Sequence, residues 1–376
     1  MGIYITSGTS LLPDGLSVDD IIHGRIPDVH LPDDPSHLPN ILGERCIDET
    51  AFAMPRMDKI VRRVANAQSR WVLYTGIKTW ENSIGDRFSP EQRGLFIGLG
   101  TSDADDSSTP IAFDAKDDED YVVKALVETP PLMGLTLLNT STASHLSQHL
   151  DITGDNGFFS PHVDAGGNAL LEGYYSIKEK RSQFVLCGGG SQKISTWYYL
   201  AYENLIKGVP WIPAEAASFI TLHEDSHHAD SEISQVFRTL LLHRDQVGRL
   251  LAWMSGEKMS EEKVSEEKVS EENSSPAQII HVGKITDEFT AQVYDTFPSA
   301  AQFNLDKALG YCGSAAPFVA INLAIEIHKK GTAIDNVSRN ARSQHSSGLT
   351  WVLVHGLENQ CTAILLRMGM LNGGEQ

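Results

Sequence analysis

The feature that most constrains the fold is an alternation of short apolar runs with helical patterns along the whole chain. Seven runs have the length and composition of buried strands, at residues 3–6, 95–99, 183–187, 218–222, 278–281, 350–354 and 362–366. Between them, apolar spacing predicts helices at 57–74, 169–178 and 315–330, the last with Pro317 near its start and Gly331 after its end. Strands that alternate with helices predict an α/β fold.

A division near residue 210 separates the chain into two similar parts, 1–210 and 211–376. Within the second part, a Lys-Met-Ser-Glu-Glu unit is followed by two Lys-Val-Ser-Glu-Glu units at residues 258–272. A period of five fits neither a strand nor an apolar helical stripe. We therefore interpret residues 255–276 as an acidic, low-complexity surface insertion.

The formal net charge of −19 argues against nucleic acid or an anionic membrane as partner, because both require a basic face. The sequence has no run of 18 apolar residues and no basic region followed by an apolar stretch at its start. Its four cysteines lie far apart without a CxxC pair, which is typical of reduced thiols. These features predict a cytoplasmic protein, and the sequence indicates no cofactor.

The segment His223-Glu224-Asp225-Ser226-His227 matches the HExxH pattern of zinc hydrolases. That chemistry needs both histidines on one helix, one turn apart. The preceding residues 216–222 are instead typical of a strand, and Asp225 and Ser226 are typical of a turn. We therefore predict no metal site, and a zinc hydrolase is kept as an alternative.

Two glycine clusters and one thiol are further candidates for chemistry. Gly98-Leu99-Gly100 and Gly188-Gly189-Gly190 complete no phosphate-binding motif, so tight turns after strands are the favoured interpretation. Cys187 and Cys361 are interpreted as small core residues. Cys312 lies closest to a helix start, where the helix dipole can lower a thiol pKa, so it is the alternative nucleophile.

Several segments follow one another in an order that resembles a known family. They are Asn139-Thr140-Ser141, Leu150-Asp151-Ile152-Thr153-Gly154, Ala165-Gly166-Gly167-Asn168, Gly188-Gly189-Gly190, Glu215-Ala216-Ala217, Gly310-Tyr311-Cys312-Gly313 and Gly356-Leu357-Glu358-Asn359. This order is similar to that of the β-ketoacyl synthases of the thiolase superfamily. The resemblance implies a thiolase fold, in which two similar βαβαβαββ halves form layers in the order α-β-α-β-α.

The resemblance also places the family's catalytic positions on residues that lack the required chemistry. The nucleophile position falls on Val163, with Asp164 as a one-residue alternative, the two histidine positions fall near Val282 and at Tyr311, and the lysine position falls near Asp306, beside Lys307. Valine cannot form a thioester, and neither valine nor tyrosine can act as an imidazole base. The resemblance therefore implies no catalytic residue in this chain.

A retained scaffold without its catalytic set resembles the chain-length factor of type II polyketide synthases and of related aryl-polyene systems. This resemblance implies a heterodimer with a catalytic ketosynthase subunit and a polyketide chain in a tunnel at the interface. The Ala165-Gly166-Gly167 run is chain-length-factor-like. The glutamine that many family members carry at the nucleophile position is absent, so a glutamine-type decarboxylase role is not supported.

The family register indicates candidate residues for the tunnel and the interface: Thr101, Phe113, Met133, Leu137, Leu138, Phe158 and Phe159. Each of them is equally explained as ordinary interface core. Acyl carrier proteins are acidic, so a chain of charge −19 predicts that the carrier docks mainly on the partner. A diverged condensing enzyme that uses Cys312 and a purely structural ketosynthase partner are the remaining alternatives.

Overall fold

The structure is a computed structural model that describes residues 2–31, 41–101, 115–129, 131–195, 198–199, 202, 210–256, 276–283, 287–331 and 348–369. Phe113 and almost all of the predicted insertion at 255–276 lie outside these residues. Among the helices of the described ranges, none combines the length and the apolar character needed to cross a membrane.

The described part of the chain contains ten strands: β1 (Ile3–Leu11), β2 (Arg93–Leu99), β3 (Asn156–Phe159), β4 (Phe184–Gly190), β5 (Ala217–His223), β6 (Ser231–Leu240), β7 (Gln278–Gly283), β8 (Ala301–Asn304), β9 (Leu349–His355) and β10 (Gln360–Met368). It also contains eleven α-helices: α1 (Val18–Ile22), α2 (Lys59–Val64), α3 (Ala67–Glu81), α4 (Asp118–Glu128), α5 (Met133–Thr136), α6 (Asn139–Leu150), α7 (His162–Lys178), α8 (Arg244–Met254), α9 (Asp287–Thr296), α10 (Leu305–Leu309) and α11 (Ala316–Lys330). All seven strands predicted from apolar runs are confirmed, and those runs did not indicate β3, β6 and β8.

The strands pair in the order β3-β2-β4-β5-β1-β6-β10-β9-β7-β8. Read inward from the two edges, the two sets of five strands have the same connectivity. The parallel pairs β2·β3 and β2·β4 correspond to β7·β8 and β7·β9. An antiparallel ladder that pairs Ile3 with Ile233 joins the two sets. Because β5 completes the first set, we propose that the halves divide after His223 rather than near residue 210.

The two five-stranded units enclose a central helical layer. Helix α7 packs on β2 and β4 of the first unit and on β9 and β10 of the second, and α11 packs on β1 and β5 of the first and on β7 and β9 of the second. Helix α3 covers the outer face of the first unit, and one apolar cluster includes residues of α8, α9, β9 and β10 on the second. The predicted α-β-α-β-α arrangement is therefore confirmed.

Small residues allow the central elements to approach one another closely. A Cβ atom added to Gly166 would lie 2.2 Å from the carbonyl oxygen of Ser314, and one added to Gly189 would lie at the same distance from that oxygen. A Cβ on Gly98 would lie 2.6 Å from the Gly166 nitrogen. Gly98 and Gly188–190 lie inside β2 and β4, so the prediction of tight turns after strands is wrong at these positions. Glycine is needed there for close packing.

Two predicted helices have different bounds in the structure. The predicted helix at 57–74 is divided into α2 and α3, because Ala65 is extended and the Asn66 side chain accepts a hydrogen bond from the Ser69 N–H as an N-cap. The helix predicted at 169–178 begins earlier, at His162. The prediction for 315–330 agrees with α11, which ends at Gly331 with a φ of 59°.

Candidate functional site at the start of helix α7

Three of the positions that the resemblance assigns to the family's catalytic residues lie near one another at the start of α7. Val163 is the second residue of this helix and is fully buried. Its backbone N–H donates a hydrogen bond to the Tyr311 hydroxyl at 3.2 Å. Val282 is also fully buried, and a Cβ atom added to its neighbour Gly283 would lie 3.0 Å from Val163 Cγ1. The structure thus brings together Val163, Val282 and Tyr311, which lie far apart in sequence.

Asp306 contributes a neutral acid to the same region. Its Oδ2 accepts a hydrogen bond from the Gly283 N–H at 3.0 Å, and its Oδ1 is buried without a partner. Burial raises the pKa of Asp306 to about 8, although the hydrogen bond from Gly283 opposes part of this shift. The carboxyl group is therefore mostly protonated at neutral pH. The adjacent Lys307 is exposed and places no charge inside.

Asp164 lies next to Val163 and faces a different group. Its Oδ2 lies 4.0 Å from Nη2 of Arg238 on β6. Burial raises the pKa of the Asp164 carboxyl, and the charge of Arg238 opposes this shift. A carboxylate at this place forms a weak ion pair near the surface and does not supply a thiolate-like nucleophile.

His162 is a residue of this site that the sequence did not indicate. It has a φ of 70°, in the left-handed region, and its carbonyl oxygen accepts a hydrogen bond from Ser314 Oγ at 2.6 Å. Its ring packs against Tyr202 with centroids 4.8 Å apart, and its Nδ1 is buried without a partner. Burial lowers the pKa of His162 to about 4, so the imidazole is neutral at pH 7.

Aromatic side chains fill the space around this helix start. The Tyr202 ring lies 5.7 Å from that of Tyr311, and the Tyr198 ring stacks on Tyr202 at 4.4 Å. Trp211 completes the group, 5.7 Å from Tyr202 and 6.1 Å from Tyr311. Tyr198, Tyr202 and Tyr311 are each at most 5% exposed. Burial raises the pKa of all three hydroxyls, so they remain protonated.

Cys312 does not have the surroundings of a nucleophile. Its side chain is fully buried, and its Sγ lies 3.5 Å from the carbonyl oxygen of Gly310, to which it donates. Burial, followed by the charge of Asp306, raises the pKa of this thiol well above its usual value. Since the thiolate is the reactive form, the structure disfavours the alternative that this chain condenses acyl groups on Cys312.

The HExxH segment lies elsewhere and does not form a metal-binding helix. His223 ends strand β5, and its Nε2 lies 2.8 Å from Thr6 Oγ1. His227 belongs to a single 3₁₀ turn, and its N–H donates to the Asp225 carboxylate. The prediction of a strand followed by a turn is confirmed. Among the described residues, no three His, Cys, Asp or Glu side chains are placed to hold a metal ion.

The predicted tunnel and interface residues are partly accessible. Phe158 and Phe159 are half-buried on β3, which forms one edge of the sheet. Thr101 is half-buried and hydrogen-bonds to Gln192. The other three lie at or after helix α5, where Met133 and Leu137 are half-buried and Leu138 is 52% exposed.

An exposed apolar surface includes Leu138. Among the described residues, thirteen large hydrophobic side chains are exposed, and seven of them fall within residues 121–138: Tyr121, Val122, Val123, Leu126, Val127, Leu135 and Leu138. Leu126 and Val127 are 80% and 78% exposed. We call this segment the apolar face. Such a concentration of apolar side chains marks an interaction site.

A basic surface lies beside the apolar face. Arg56, Lys59, Arg62 and Arg63 are exposed at helix α2, and none of the ion pairs found in the described ranges involves them. We call these four residues the basic face. Helix α2 packs against α5, and the Asn66 side chain donates to the α5 carbonyl of Thr136 at 3.1 Å. The overall charge of −19 therefore conceals a local cationic surface.

Comparison with known proteins identifies the fold. No family model matches the sequence, and no curated protein matches it. A type II PKS ketosynthase bound to the hexaketide, in complex with its acyl carrier protein (AntDE:AntF), has a similar structure with a TM-score of 0.71 at 15% identity, over 98% of this chain and 99% of that chain.

Two further structures extend this likeness. A β-ketoacyl synthase from Burkholderia phymatum STM815 has a TM-score of 0.74 at 14% identity, over 98% of this chain and 99% of the other. The ketosynthase from module 6 of the bacillaene synthase of Bacillus subtilis 168 has a TM-score of 0.67 at 11% identity, over 98% of this chain and 72% of that chain. The chain thus has the thiolase-like fold of the ketosynthases, and identities this low show the fold alone.

Proposed function

We propose that this chain is a non-catalytic, ketosynthase-like chain-length factor. It pairs with a catalytic β-ketoacyl synthase subunit and limits the length of the polyketide that the partner makes. The observation that carries this proposal is the convergence of Val163, Val282 and Tyr311 at the start of α7. They are the positions that the sequence resemblance assigns to the catalytic residues, and none of them has a side chain suited to that chemistry.

The residues at the start of α7 do not supply the groups that a condensing enzyme needs. An acyl chain is held covalently by an activated nucleophile, whereas Val163 presents only methyl groups. Charge that develops during decarboxylation needs free hydrogen-bond donors or cations. The Val163 N–H is already bound to Tyr311, and Asp306 is a neutral acid near pH 7. His162 offers a neutral imidazole, but it is a poor acceptor of protons because its pKa is about 4.

The surface supports a heterodimer. Strand β3 has an unpaired edge in the described sheet, and such an edge is a template for strand pairing with a second chain. The apolar face would be buried by the same partner, since isolated proteins rarely expose so many large apolar side chains together. A catalytic ketosynthase of the same fold presents an equivalent edge and is the partner that we propose.

The basic face supports an acyl carrier protein as a further partner. Carrier proteins are acidic, and four exposed cations beside the apolar face offer complementary charge. A similar structure contains a type II PKS ketosynthase in complex with its acyl carrier protein. We therefore revise the expectation that the carrier docks mainly on the partner, and propose that it docks across both subunits.

Length control would depend on side chains that this chain presents to the growing polyketide at the interface. Leu138 is the best-placed candidate, because it belongs to the apolar face and is 52% exposed before the partner binds. A larger side chain there would stop the polyketide earlier, and a smaller one would let it grow by further units.

Co-expression with a catalytic type II ketosynthase subunit and its carrier protein tests the proposal. We expect Leu138→Trp to shorten the product and Leu138→Ala to lengthen it, as measured by mass spectrometry of the released polyketides. Leu31, which is 73% exposed and lies outside the apolar face, provides the matched control pair Leu31→Trp and Leu31→Ala. An unchanged product length in both Leu138 variants would favour a purely structural partner. Condensation of malonyl units by the isolated chain would refute the non-catalytic role.

A further inference from the structure

The hydrogen bond between Val163 and Tyr311 is unusual for its position. The first N–H groups of a helix have no partner within the helix, and they commonly bind anions or developing negative charge. At the start of α7, the donor on Val163 is instead directed at the Tyr311 hydroxyl, 3.2 Å away. Tyr311 is only 5% exposed, so neither solvent nor a ligand reaches this donor without moving the tyrosine.

Aromatic rings fill the space around the Tyr311 hydroxyl. The ring of Tyr202 lies edge-on to Tyr311 at 5.7 Å, and on its other side it contacts His162 at 4.8 Å. Tyr198 stacks on Tyr202, and Trp211 stacks on Tyr198 at 5.7 Å. Aromatic side chains bury about 150–250 Å² each, so these four rings fill the space beside Tyr311.

The turn at Gly283 also closes on the Val163 side chain. Gly283 has a φ of 91° and passes so close that an added Cβ atom would lie 2.0 Å from the His355 carbonyl oxygen and 3.0 Å from Val163 Cγ1. The Val163 side chain therefore has no open path on this side. The Tyr311 hydroxyl at its backbone and the glycine turn at its side chain contribute to the complete burial of Val163.

We propose that Tyr198, Tyr202, Trp211 and Tyr311 form an internal plug that excludes acyl thioesters from this chain. The Tyr311 hydroxyl takes the place of a substrate oxygen at the Val163 N–H, and the remaining rings take the place of the acyl group. Inactivity then has two independent causes, a missing nucleophile and an occupied site. The plug's meaning for polyketide synthesis rests on the proposed function, whereas its existence is a property of this chain alone.

The plug predicts that a thiol restored at position 163 stays inaccessible. The experiment uses the full isolated chain carrying Val163→Cys, treated with iodoacetamide and analysed by peptide mass spectrometry. We expect this thiol to be alkylated about 100-fold more slowly in the native protein than in urea, because local opening must precede the reaction. Rapid alkylation of native Val163→Cys would overturn the proposal.

Two second-site variants show whether the rings are responsible. Adding Tyr202→Ala should accelerate alkylation of the thiol at position 163 by about tenfold or more, while Tyr202→Phe should leave it slow, because the ring is retained. Tyr294→Ala, at a side chain 52% exposed on α9, is the matched control without effect. An unchanged rate with Tyr202→Ala would also overturn the plug.

Buried native thiols report on folding in the same sample. Cys187 and Cys361 are fully buried and lie outside the plug. A variant is therefore interpreted only if both of these thiols are still alkylated slowly in it. The labelling needs no partner, carrier or polyketide. A failed plug would therefore leave the co-expression result standing, and a failed chain-length role would leave the labelling result standing.

Discussion

The start of α7 and the apolar face differ in a way that separates chemistry from recognition. At the start of α7, Val163 is fully buried and Tyr311 is 5% exposed, with hydroxyls and imidazole kept neutral by burial. On the apolar face, Leu126 and Val127 are 80% and 78% exposed in the single chain. The start of α7 is therefore closed to solvent, whereas the apolar face exposes large apolar side chains.

We propose that the fold has kept its recognition surfaces while its catalytic interior has become part of the core. In the proposed function, the closed interior leaves the chain as a scaffold, and the apolar face is buried by a partner. Four measurements test this contrast between the interior and the surface.

The closed interior should make the protein sensitive to acid. Burial lowers the pKa of His223 and His281 to about 4 and that of His355 to about 3, from 6.5. The unfolded chain therefore binds more protons below pH 6.5, and stability is full above this pH and falls as pH decreases toward 4. Each histidine should cost about 3 kcal/mol by pH 4, since one pKa unit is worth about 1.4 kcal/mol.

Urea unfolding between pH 7 and 4 measures this loss. His355→Gln should lose some stability at pH 7. The slope of its unfolding free energy against pH should decrease by the equivalent of about one bound proton. His243→Gln serves as the control, because the His243 side chain is exposed. A free energy of unfolding that stays constant from pH 6.5 to 4 would contradict a closed, neutral interior.

The apolar face should determine association with the ketosynthase. Leu126→Asp combined with Val127→Asp removes two apolar anchors and buries charge in the interface. We expect the dissociation constant to rise by about 100-fold, because the loss of apolar burial removes about 3 kcal/mol of binding free energy. Titration calorimetry or sedimentation measures it, and Leu31→Asp with Leu42→Asp is the matched control on other exposed leucines. Unchanged affinity would assign the interface to another surface.

The basic face should affect the carrier protein and leave the heterodimer intact. Reversing charge with Lys59→Glu, Arg62→Glu and Arg63→Glu should weaken carrier binding by about tenfold at low salt, and by less as salt screens the interaction. The control is Lys329→Glu with Lys330→Glu on α11, where the wild-type lysines already pair with acidic side chains. Equal losses in both variants would point to nonspecific charge effects.

Replacing Cys312 should have only a small effect on stability and on the condensation rate. Cys312→Ala deletes a buried thiol and should cost about 1 kcal/mol of stability, while the heterodimer keeps its condensation rate within about twofold. Steady-state product formation measures the rate, with Cys361→Ala as the control for a buried thiol far from the site. Loss of activity in Cys312→Ala alone would revive the alternative of a diverged condensing enzyme.

The sequence predicted the strands that have uniform apolar runs. It did not predict strands in which a bulge or a short length obscures the apolar pattern. Strand β6 carries apolar residues at 233, 236, 237 and 240, a spacing typical of a helix. Its register against β10 shifts between Leu365 and Leu366, so Ser234 is an extra residue that breaks the two-residue alternation. Strand β3 has only four residues, Asn-Gly-Phe-Phe, too few for a pattern.

For the site, the resemblance indicated Val163, Val282 and Tyr311, but nothing in their spacing predicted the contact between them. They meet because β7, α7 and the segment before α11 converge from different halves, which is a tertiary effect. The left-handed backbone of His162 has no sequence signature, since φ is set by the packing of α7 against the turn that contains Ser314. The stacking of Tyr198, Tyr202 and Trp211 was missed for the same reason.

The most direct measurement exposes the isolated chain, and separately the heterodimer, to a radiolabelled acyl carrier protein and locates the label by mass spectrometry. We expect every covalent acyl group on the ketosynthase partner and an unmodified mass for this chain in both samples. A stable acyl adduct on any side chain of the isolated polypeptide would show that it carries substrate itself, and would contradict the non-catalytic role.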